Sequence, residues 1–258
     1  MSTPSLPITV TNWFEVYSSN VESAINFYAQ VFGWTKESMP MGPEDKYWML
    51  KAGEASFAGV MDLNHPNLEG VPPHWGTYLH TDDCAATVVK VTELGGKVVY
   101  GPMAIPGVGT VAGLNDPFGA HFNIHQPEGE RTEPPQRPVN WIEHMGPNRE
   151  GALEFYKALF GWGSMDMDMG EPIGTYSMFL VGDYPVGGCM TVGGGEMPPN
   201  WMIYLHADNI EAACEKVTAA GGKVLSPVMD IGDFGHIAMV SDCCGAVFGL
   251  HQPSAAHS

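Results

Sequence analysis

Apolar and polar residues at the start of the chain follow the pattern of a strand, a helix and further strands. Residues 12–17 alternate with a period of two, as in a half-buried strand. Apolar residues then recur at helical spacing over 21–32, and Ser19 or Asn20 supplies the N-cap. Gly33 ends the helix. Two short apolar runs bounded by glycine or proline predict further strands, at 47–50 and 56–61.

The same pattern restarts after the break at Pro72 and Pro73. A strand at 75–80 leads into a second helix, which Asp82 or Asp83 caps and which a glycine pair ends. Three more strands are predicted, at 97–100, 110–115 and 121–126. We therefore interpret the first half of the chain as two paired βαβββ units.

The second half of the chain repeats the first. NWFEVYSSNVESAINFYAQVFGW at 12–34 returns as NWIEHMGPNREGALEFYKALFGW at 140–162, and GAHFNIHQP at 119–127 returns as GAVFGLHQP at 245–253. The offset has the length of a domain and is too long for a solenoid repeat. We predict two tandem domains joined by a proline-rich linker, with bounds at 1–126, 127–139 and 140–258.

Three motifs recur in order in the copies: a first helix ending FYxxxFGW, a second helix ending in GG, and a last strand introduced by DPFGA or DCCGA. This order resembles the vicinal oxygen chelate superfamily of glyoxalases, bleomycin-resistance proteins and extradiol dioxygenases. Within it, the chain is similar to bacterial two-domain glyoxalase-like or hydroxylase-like proteins, including mycobacterial secreted antigens. The resemblance implies an α+β fold in which each domain's paired βαβββ units form a cupped, barrel-like sheet.

The resemblance also implies a divalent metal in each cup, bound by His, Gln or Glu on the leading and closing strands of the units. Counting along the motifs places these positions at residues without a strong ligand: Trp13, Gly76 and Asn123 in one copy and Trp141, Met202 and Gly249 in the other. We therefore expect no metal cofactor. A divalent metal with displaced ligands is the alternative, at Glu15, His80 and His125 or at Glu143, His206 and His251. Their strand positions disfavour it, because they lie towards opposite ends of the cup.

A cup without metal leaves two roles for the buried carboxylates Glu15 and Glu143. Each acts as a general base with a raised pKa, or each accepts a hydrogen bond from Tyr78, Tyr204 or a backbone amide. Tryptophan at the base of each cup offers a surface on which a ring can stack. The candidate ligand-binding residues are Trp13, Tyr78, Asn123, His125, Trp141, Tyr204 and His251. The alternating methionines at 165, 167 and 169 either fill gaps in the core or a mobile loop, or they form a surface that adapts to apolar ligands.

Charge and cysteine content restrict the partners and the compartment. The 29 acidic and 11 basic residues give a net charge of −18, which repels phosphate backbones and anionic lipids. We therefore expect neither nucleic acid nor a membrane as a partner. The five cysteines lack CxxC spacing and suit reduced thiols in the cytoplasm, although the adjacent Cys243 and Cys244 are either packed or redox-active. The chain also lacks a signal-peptide pattern and a long apolar run.

Three functions stay open. The favoured one is a glyoxalase-like or bleomycin-resistance-like protein that binds or transforms a small organic molecule in a cupped pocket without the usual metal. The alternative is a divalent-metal-dependent lyase, isomerase or dioxygenase with displaced Glu and His ligands. In the third, the cups are vestigial and the surface binds a partner. In the first two the partner is a small-molecule ligand or substrate, and we expect a monomer or homodimer.

Overall fold

The computed structural model describes residues 10–41, 46–129, 138–170, 174–192 and 197–254. The elements of the first half are β1 (Thr11–Ser18), α1 (Val21–Phe32), β2 (Thr35–Pro40), β3 (Lys46–Ala52), β4 (Ala55–Asp62), β5 (His74–His80), α2 (Cys84–Glu93), β6 (Lys97–Ile105), β7 (Gly109–Asn115) and β8 (His121–Pro127). The elements of the second half are β9 (Val139–Gly146), α3 (Arg149–Phe160), β10 (Gly163–Asp168), β11 (Thr175–Val181), β12 (Tyr184–Thr191), β13 (Asn200–His206), α4 (Ile210–Ala219), β14 (Lys223–Val224), β15 (Met229–Asp230), β16 (His236–Ser241) and β17 (Val247–Gln252).

Each half forms one open, cupped sheet of mixed direction. The strand order is β2-β3-β4-β1-β5-β8-β7-β6 in the first sheet and β10-β11-β12-β9-β13-β17-β16-β14 in the second, where β15 also pairs with β16. In both sheets the two units meet through antiparallel central strands, β1 with β5 and β9 with β13. The predicted α+β fold of two tandem domains, each with paired βαβββ units, is confirmed.

Helix boundaries follow the predicted caps. Asn20 and Asp83 accept hydrogen bonds from the backbone amides of Ser23 and Ala86, and Gly33 ends α1 with a φ of 71°. A positive φ favours glycine because it lacks a Cβ. The domain bounds stay a prediction, since residues 130–137 of the linker lie outside the described ranges; β8 ends at Pro127 and β9 begins at Val139.

Two edge strands differ from the sequence pattern. The β2 strand was not predicted, because its residues are mostly exposed and show no apolar alternation; backbone pairing with β3 holds it. The β6 strand continues past Tyr100 to Ile105, through Pro102. Its register shifts between Tyr100 and Met103, and a proline is tolerated in an edge strand at such an irregularity. No helix in the described part of the chain is both long and apolar enough to cross a membrane.

The motif residues that identify the repeat join the two domains. The hydroxyl of Tyr28, from the first FY motif, donates to Asp242 at 3.1 Å, and Tyr156, from the second, donates to Asp116 at 3.2 Å. Each aspartate begins a DPFGA or DCCGA turn, and its other oxygen accepts backbone amides of that turn. These cross-domain bonds are buried in the apolar core behind the sheets. The strongest sequence motifs therefore stabilise the contact between the domains, and other residues line the cups.

Candidate functional sites in the two cups

A buried carboxylate lies at the centre of the first cup. Glu15 is opposite Gly59 on β4 and Gly76 on β5, and only 2% of it is exposed. The hydroxyl of Tyr47 donates to its Oε1 at 2.8 Å, and the hydroxyl of Tyr78 donates to its Oε2 at 2.7 Å. The missing side chain at Gly59 gives the Tyr47 ring room, since a Cβ there would clash with the Tyr47 hydroxyl, and a Cβ at Gly76 would come close to the Tyr17 ring.

Burial controls the protonation of this cluster. Desolvation raises the pKa of Glu15, and hydrogen bonds from Tyr78, Tyr47 and Tyr17 oppose that rise without cancelling it. Desolvation and the nearby Glu15 in turn raise the pKa of Tyr78 far above its usual value, so this phenol stays neutral at physiological pH. The cluster therefore combines neutral phenol donors with a carboxyl group that holds its proton more tightly than an exposed glutamate.

A polar donor in the same cup has no protein partner. Asn123 on β8 is fully buried and accepts a 2.8 Å hydrogen bond from the Tyr100 hydroxyl at its Oδ1. Its Nδ2 has no hydrogen-bond partner among the described residues, and it lies beside Gly76, where a Cβ would be 3.3 Å away. An unsatisfied buried donor costs about 1–3 kcal/mol. A group with this penalty is a candidate for ligand binding.

Neutral aromatic rings line the rim of the first cup. Tyr17 and His74 stack with their ring centroids 4.4 Å apart and their planes 5° from parallel. Burial lowers the pKa of His74, and burial with the nearby His74 lowers the pKa of His121 to about 4. Both imidazoles are therefore neutral at pH 7, and the first cup combines aromatic faces with uncharged hydrogen-bonding groups.

The second cup keeps the carboxylate and its hydrogen bonds from two tyrosines, Tyr176 and Tyr204, and replaces other polar residues around it. Glu143 accepts from the Tyr204 hydroxyl at 2.8 Å, and desolvation raises the pKa of this carboxyl group as well. Around it, methionine or a small residue stands where the first cup has a polar or small one: Met145 for Tyr17, Met202 for Gly76, Met239 for Gly113, Ser226 for Tyr100 and Gly249 for Asn123. Met145, Met202 and Tyr204 form an apolar cluster that Met190, Met197 and Met239 extend.

The structure brings together most of the residues that the sequence singled out. Trp13, Glu15, Tyr78 and Asn123 meet in the first cup, where the Trp13 indole donates to Tyr47 at 2.9 Å. Trp141, Glu143 and Tyr204 meet in the second, where the Trp141 indole donates to Tyr176 at 2.8 Å. The expected hydrogen bonds from Tyr78 to Glu15 and from Tyr204 to Glu143 are therefore present. The histidines are placed elsewhere.

The displaced ligand sets do not fit a metal ion. His80 and His125 pair with each other across β5 and β8, but His80 is four residues along the strand from Gly76, the partner of Glu15. At ~3.3 Å per residue this separates the groups by about 13 Å. His80 contacts Asn12 and Asp82, and the Nε2 of His125 lies 3.1 Å from the Val108 carbonyl oxygen.

The second copy has the same arrangement. His206 pairs with His251 across β13 and β17, while Glu143 is opposite Met202, four residues from His206. His206 contacts Asn140 and Asp208, and His251 contacts Asn140 and the Phe234 carbonyl oxygen. Within the described ranges, no three His, Cys, Asp or Glu side chains come together as metal ligands.

Sequence reasoning predicted Tyr78 and Tyr204 but missed Tyr17, Tyr47 and Tyr100, and it did not assign methionines to the second cup. Tyr17 continues the alternation that places Trp13 and Glu15 in the cup, so that signal was available in β1. Tyr47 and Tyr100 enter the cup from strands distant in sequence, and nothing local distinguishes them. Of the alternating methionines, Met165 lies on the edge strand β10 with 47% of its surface exposed, whereas the methionines of the second cup are spread over β9, β12, β13 and β16.

A second buried polar cluster lies behind the sheet. His144 and Cys189 pair across β9 and β12, at the position where the first domain has Val16 and Val60. The Nε2 of His144 is 2.8 Å from Asp116 of the other domain, and its Nδ1 is 3.7 Å from the Cys189 sulfur. The residue types match a nucleophilic triad, but all three are buried, and burial raises the pKa of Cys189 to about 12. The thiol is protonated and inaccessible, so the cluster joins the domains.

Comparison with known proteins agrees with this geometry. The model of the Glyoxalase/Bleomycin resistance protein/Dioxygenase superfamily matches residues 11–124. "Putative glyoxylase CFP32" of Mycobacterium tuberculosis is 31% identical over 249 residues, which cover 94% of each chain. "Anthracycline biosynthesis protein DnrV" of Streptomyces peucetius is 27% identical over 227 residues, or 82% of each chain. The chain belongs to the glyoxalase, bleomycin-resistance and dioxygenase superfamily.

Solved structures share the fold at low identity. The Mn(II)-bound glyoxalase from Novosphingobium aromaticivorans superposes with a TM-score of 0.63 at 14% identity, over 95% of this chain and 82% of that one. The 2,3-dioxygenase LapB from Pseudomonas sp. KL28 superposes with a TM-score of 0.63 at 12% identity, over 96% of this chain and 93% of that one. These likenesses establish the fold and leave the chemistry of this chain to its own residues.

Proposed function

We propose that the first domain binds a small organic molecule in its cup without the divalent metal of related enzymes, and that Glu15 exchanges a proton with it. The observation that carries this proposal is the unsatisfied Nδ2 of Asn123. A carbonyl or hydroxyl oxygen of a ligand would accept that donor and remove the penalty of about 1–3 kcal/mol for burying it.

The remaining groups of the cup suit an aromatic ligand with polar substituents. Trp13 and the stacked pair of Tyr17 and His74 offer flat apolar faces, which bury a ring favourably. Tyr47 is half-buried at the start of β3 and covers Glu15, so a ligand that reaches the carboxyl group takes the place of this hydroxyl. Glu15, whose pKa is raised by desolvation, then gives or accepts a proton as a general acid or base.

A hydroxylated anthraquinone is a suitable first probe, because it presents ring faces and carbonyl oxygens and because a relative is named for anthracycline biosynthesis. Titration calorimetry with the full chain measures its affinity. Asn123→Gly installs the residue of the second cup and is expected to weaken binding roughly tenfold, the value of one or two hydrogen bonds. Binding that is unchanged in this variant would contradict the proposal.

A matched pair of variants locates the site in one cup. Tyr78→Phe and Tyr204→Phe each remove a hydroxyl that donates to a buried glutamate, one in each domain. We expect Tyr78→Phe to weaken probe binding about 3–10-fold and Tyr204→Phe to leave it unchanged. Equal losses in both variants would show that the effect is structural and that the first cup is not the site.

The metal-dependent alternative has its own measurement. Elemental analysis of protein purified without chelators reports manganese, iron, nickel and zinc. The proposal expects less than about a tenth of an equivalent, since neither set of displaced ligands forms a closed site. Near one equivalent of any of these metals, lost in Glu15→Gln, would overturn it. The expected cytoplasmic location stays a prediction from composition.

A further inference from the structure

A groove between the domains is open on one side of the molecule. It has a volume of about 540 Å³ and lies between α1, the end of α4 and the turn after β16. Asn20, Ser23 and Phe27 line it from the first domain, and Cys243 and Cys244 line it from the second. It is separate from both cups and plays no part in the function proposed above.

The equivalent place on the other side of the molecule is filled. There, Pro117 and Phe118 stand in place of Cys243 and Cys244, and Gly151 of α3 stands in place of Ser23. The Phe118 ring packs against α3 so closely that a Cβ at Gly151 would clash with it. The change from proline and phenylalanine to two cysteines therefore opens the groove and places two half-buried thiols in it.

The two sulfur atoms are placed to bind one central atom together. They lie 3.8 Å apart, with Cys243 donating to the Ser23 carbonyl oxygen and Cys244 to the Asn20 carbonyl oxygen. Two sulfurs ~2.3 Å from one atom are about 3.8 Å apart at a near-tetrahedral angle and about 4.6 Å apart when linear. The separation thus fits a soft central atom with a bent S–X–S angle, and it is too short for a linear one.

We propose that Cys243 and Cys244 form a dithiol site for a trivalent organoarsenical. A tetrahedral zinc ion needs four ligands, and within the described residues no third His, Cys, Asp or Glu joins this pair. Trivalent arsenic with one organic substituent needs only two thiols. In the groove, the two thiols lie among the apolar residues Phe27 and Ala220 and the polar residues Asn20 and Ser23, which leave space for that substituent.

The reaction balances without an oxidant. An organoarsenic oxide, R–As=O, condenses with two thiols, so that two As–S bonds form, two S–H bonds and the As=O bond break, and one water molecule leaves. Burial and the neighbouring Cys244 raise the pKa of Cys243 to about 12, so this thiol enters the reaction protonated. Direct oxidation of the pair would instead form a strained bridge between adjacent residues.

Phenylarsine oxide added to the native full chain in a phosphine reductant tests the site. Intact-mass spectrometry and thiol titration are expected to show one adduct per chain and the loss of two free thiols. Cys243→Ser and Cys244→Ser each leave one sulfur and should weaken binding at least a hundredfold, the usual gain from a second linked contact. Cys214→Ser changes a half-buried thiol outside the groove and should behave like the unsubstituted protein.

Three outcomes would overturn the assignment. They are the absence of an adduct in native protein, an adduct that survives in either single serine variant, and stoichiometric zinc binding that consumes the same two thiols. The double variant Cys243→Pro with Cys244→Phe copies the filled turn of the other side. It is expected to abolish the adduct while keeping the fold, which circular dichroism checks.

Discussion

Both cups contain a buried glutamate that accepts a hydrogen bond from a tyrosine, but the residues around this pair differ. In the first, Gly76 and Gly113 leave room for the rings of Tyr17 and Tyr100, and Asn123 keeps an unsatisfied amide. In the second, methionine replaces both glycines and Tyr17. The second cup is therefore packed with its own side chains where the first presents polar groups.

Because of this difference, we expect the second cup to contribute mainly to stability and the first cup mainly to ligand binding. Methionine is flexible and polarisable, and it fills irregular gaps in a core well. A cup filled in this way stabilises its domain through apolar burial. A cup lined with neutral phenols and an unpaired amide contributes less to stability and more to recognition of a ligand. One copy thus fills its cup with apolar side chains, whereas the other presents a candidate site.

The largest expected effect is on the packing of the second cup. Met202 is 5% exposed and contacts Met145 and Tyr204 in the apolar cluster. Met202→Ala removes most of this side chain and leaves a cavity, so we expect the free energy of unfolding to fall by about 2–5 kcal/mol. Urea denaturation followed by tryptophan fluorescence measures the change.

Met165 provides the matched control for that variant. It lies on the edge strand β10 and is 47% exposed, so Met165→Ala is expected to change stability by no more than about 0.5 kcal/mol. If Met202→Ala were equally mild, the second cup would not be a packed core, and the contrast between the cups would fail.

The next largest effect on stability is expected from the tyrosine–glutamate hydrogen bond that both cups contain. Tyr78→Phe and Tyr204→Phe each remove a hydrogen bond to a buried carboxyl group, at 2.7 Å and 2.8 Å. Bonds to charged groups contribute about 1.5–3 kcal/mol, and we expect the two losses of stability to agree within about 1 kcal/mol at pH 8. Denaturation midpoints of both variants test this. A large loss of stability in only one variant would show that the tyrosine–glutamate hydrogen bond has a different role in each cup.

The sequence predicted the fold because the repeat carries the information twice. Both copies keep the alternation of the first strand, the N-cap and the helix-ending glycine, and each of these signals is local. The β2 strand escaped prediction because an exposed edge strand is held by backbone pairing and needs no apolar alternation. The extension of β6 was not predicted, because a proline such as Pro102 usually indicates the end of a strand.

The candidate site was predicted in part, for a related reason. Trp13, Glu15, Tyr78 and Asn123 lie on strands whose register the repeat reveals, so their meeting could be expected. The tyrosines from β3 and β6 could not, because their approach depends on the missing side chains at Gly59 and Gly113. The roles of Asp116 and Asp242 were hidden as well, since a contact between domains has no local signature.

The smallest expected effect is the pH dependence of the first carboxyl group. Desolvation raises the pKa of Glu15 in the folded protein above its ordinary value of 4.5, while hydrogen bonds from Tyr78, Tyr47 and Tyr17 oppose this rise. The folded state therefore binds this proton more tightly than the unfolded state. Its contribution to stability is complete below pH 4.5 and is lost as the pH rises through the folded pKa. A difference of one unit between the two pKa values is worth about 1.4 kcal/mol.

Glu15→Gln removes this titration and isolates its contribution. Relative to the glutamine variant, the unsubstituted protein should lose stability between pH 4.5 and the folded pKa and stay constant above it. Urea midpoints measured every half unit from pH 4 to pH 8 give the difference curve, in which the other titrating groups largely cancel. Glu143→Gln is the matched variant, because desolvation also raises the pKa of Glu143. A flat curve for Glu15→Gln beside a sloping one for Glu143→Gln would show that only the carboxyl group of the second cup has a raised pKa. That result would contradict the assignment of the proton-exchanging group to the first cup.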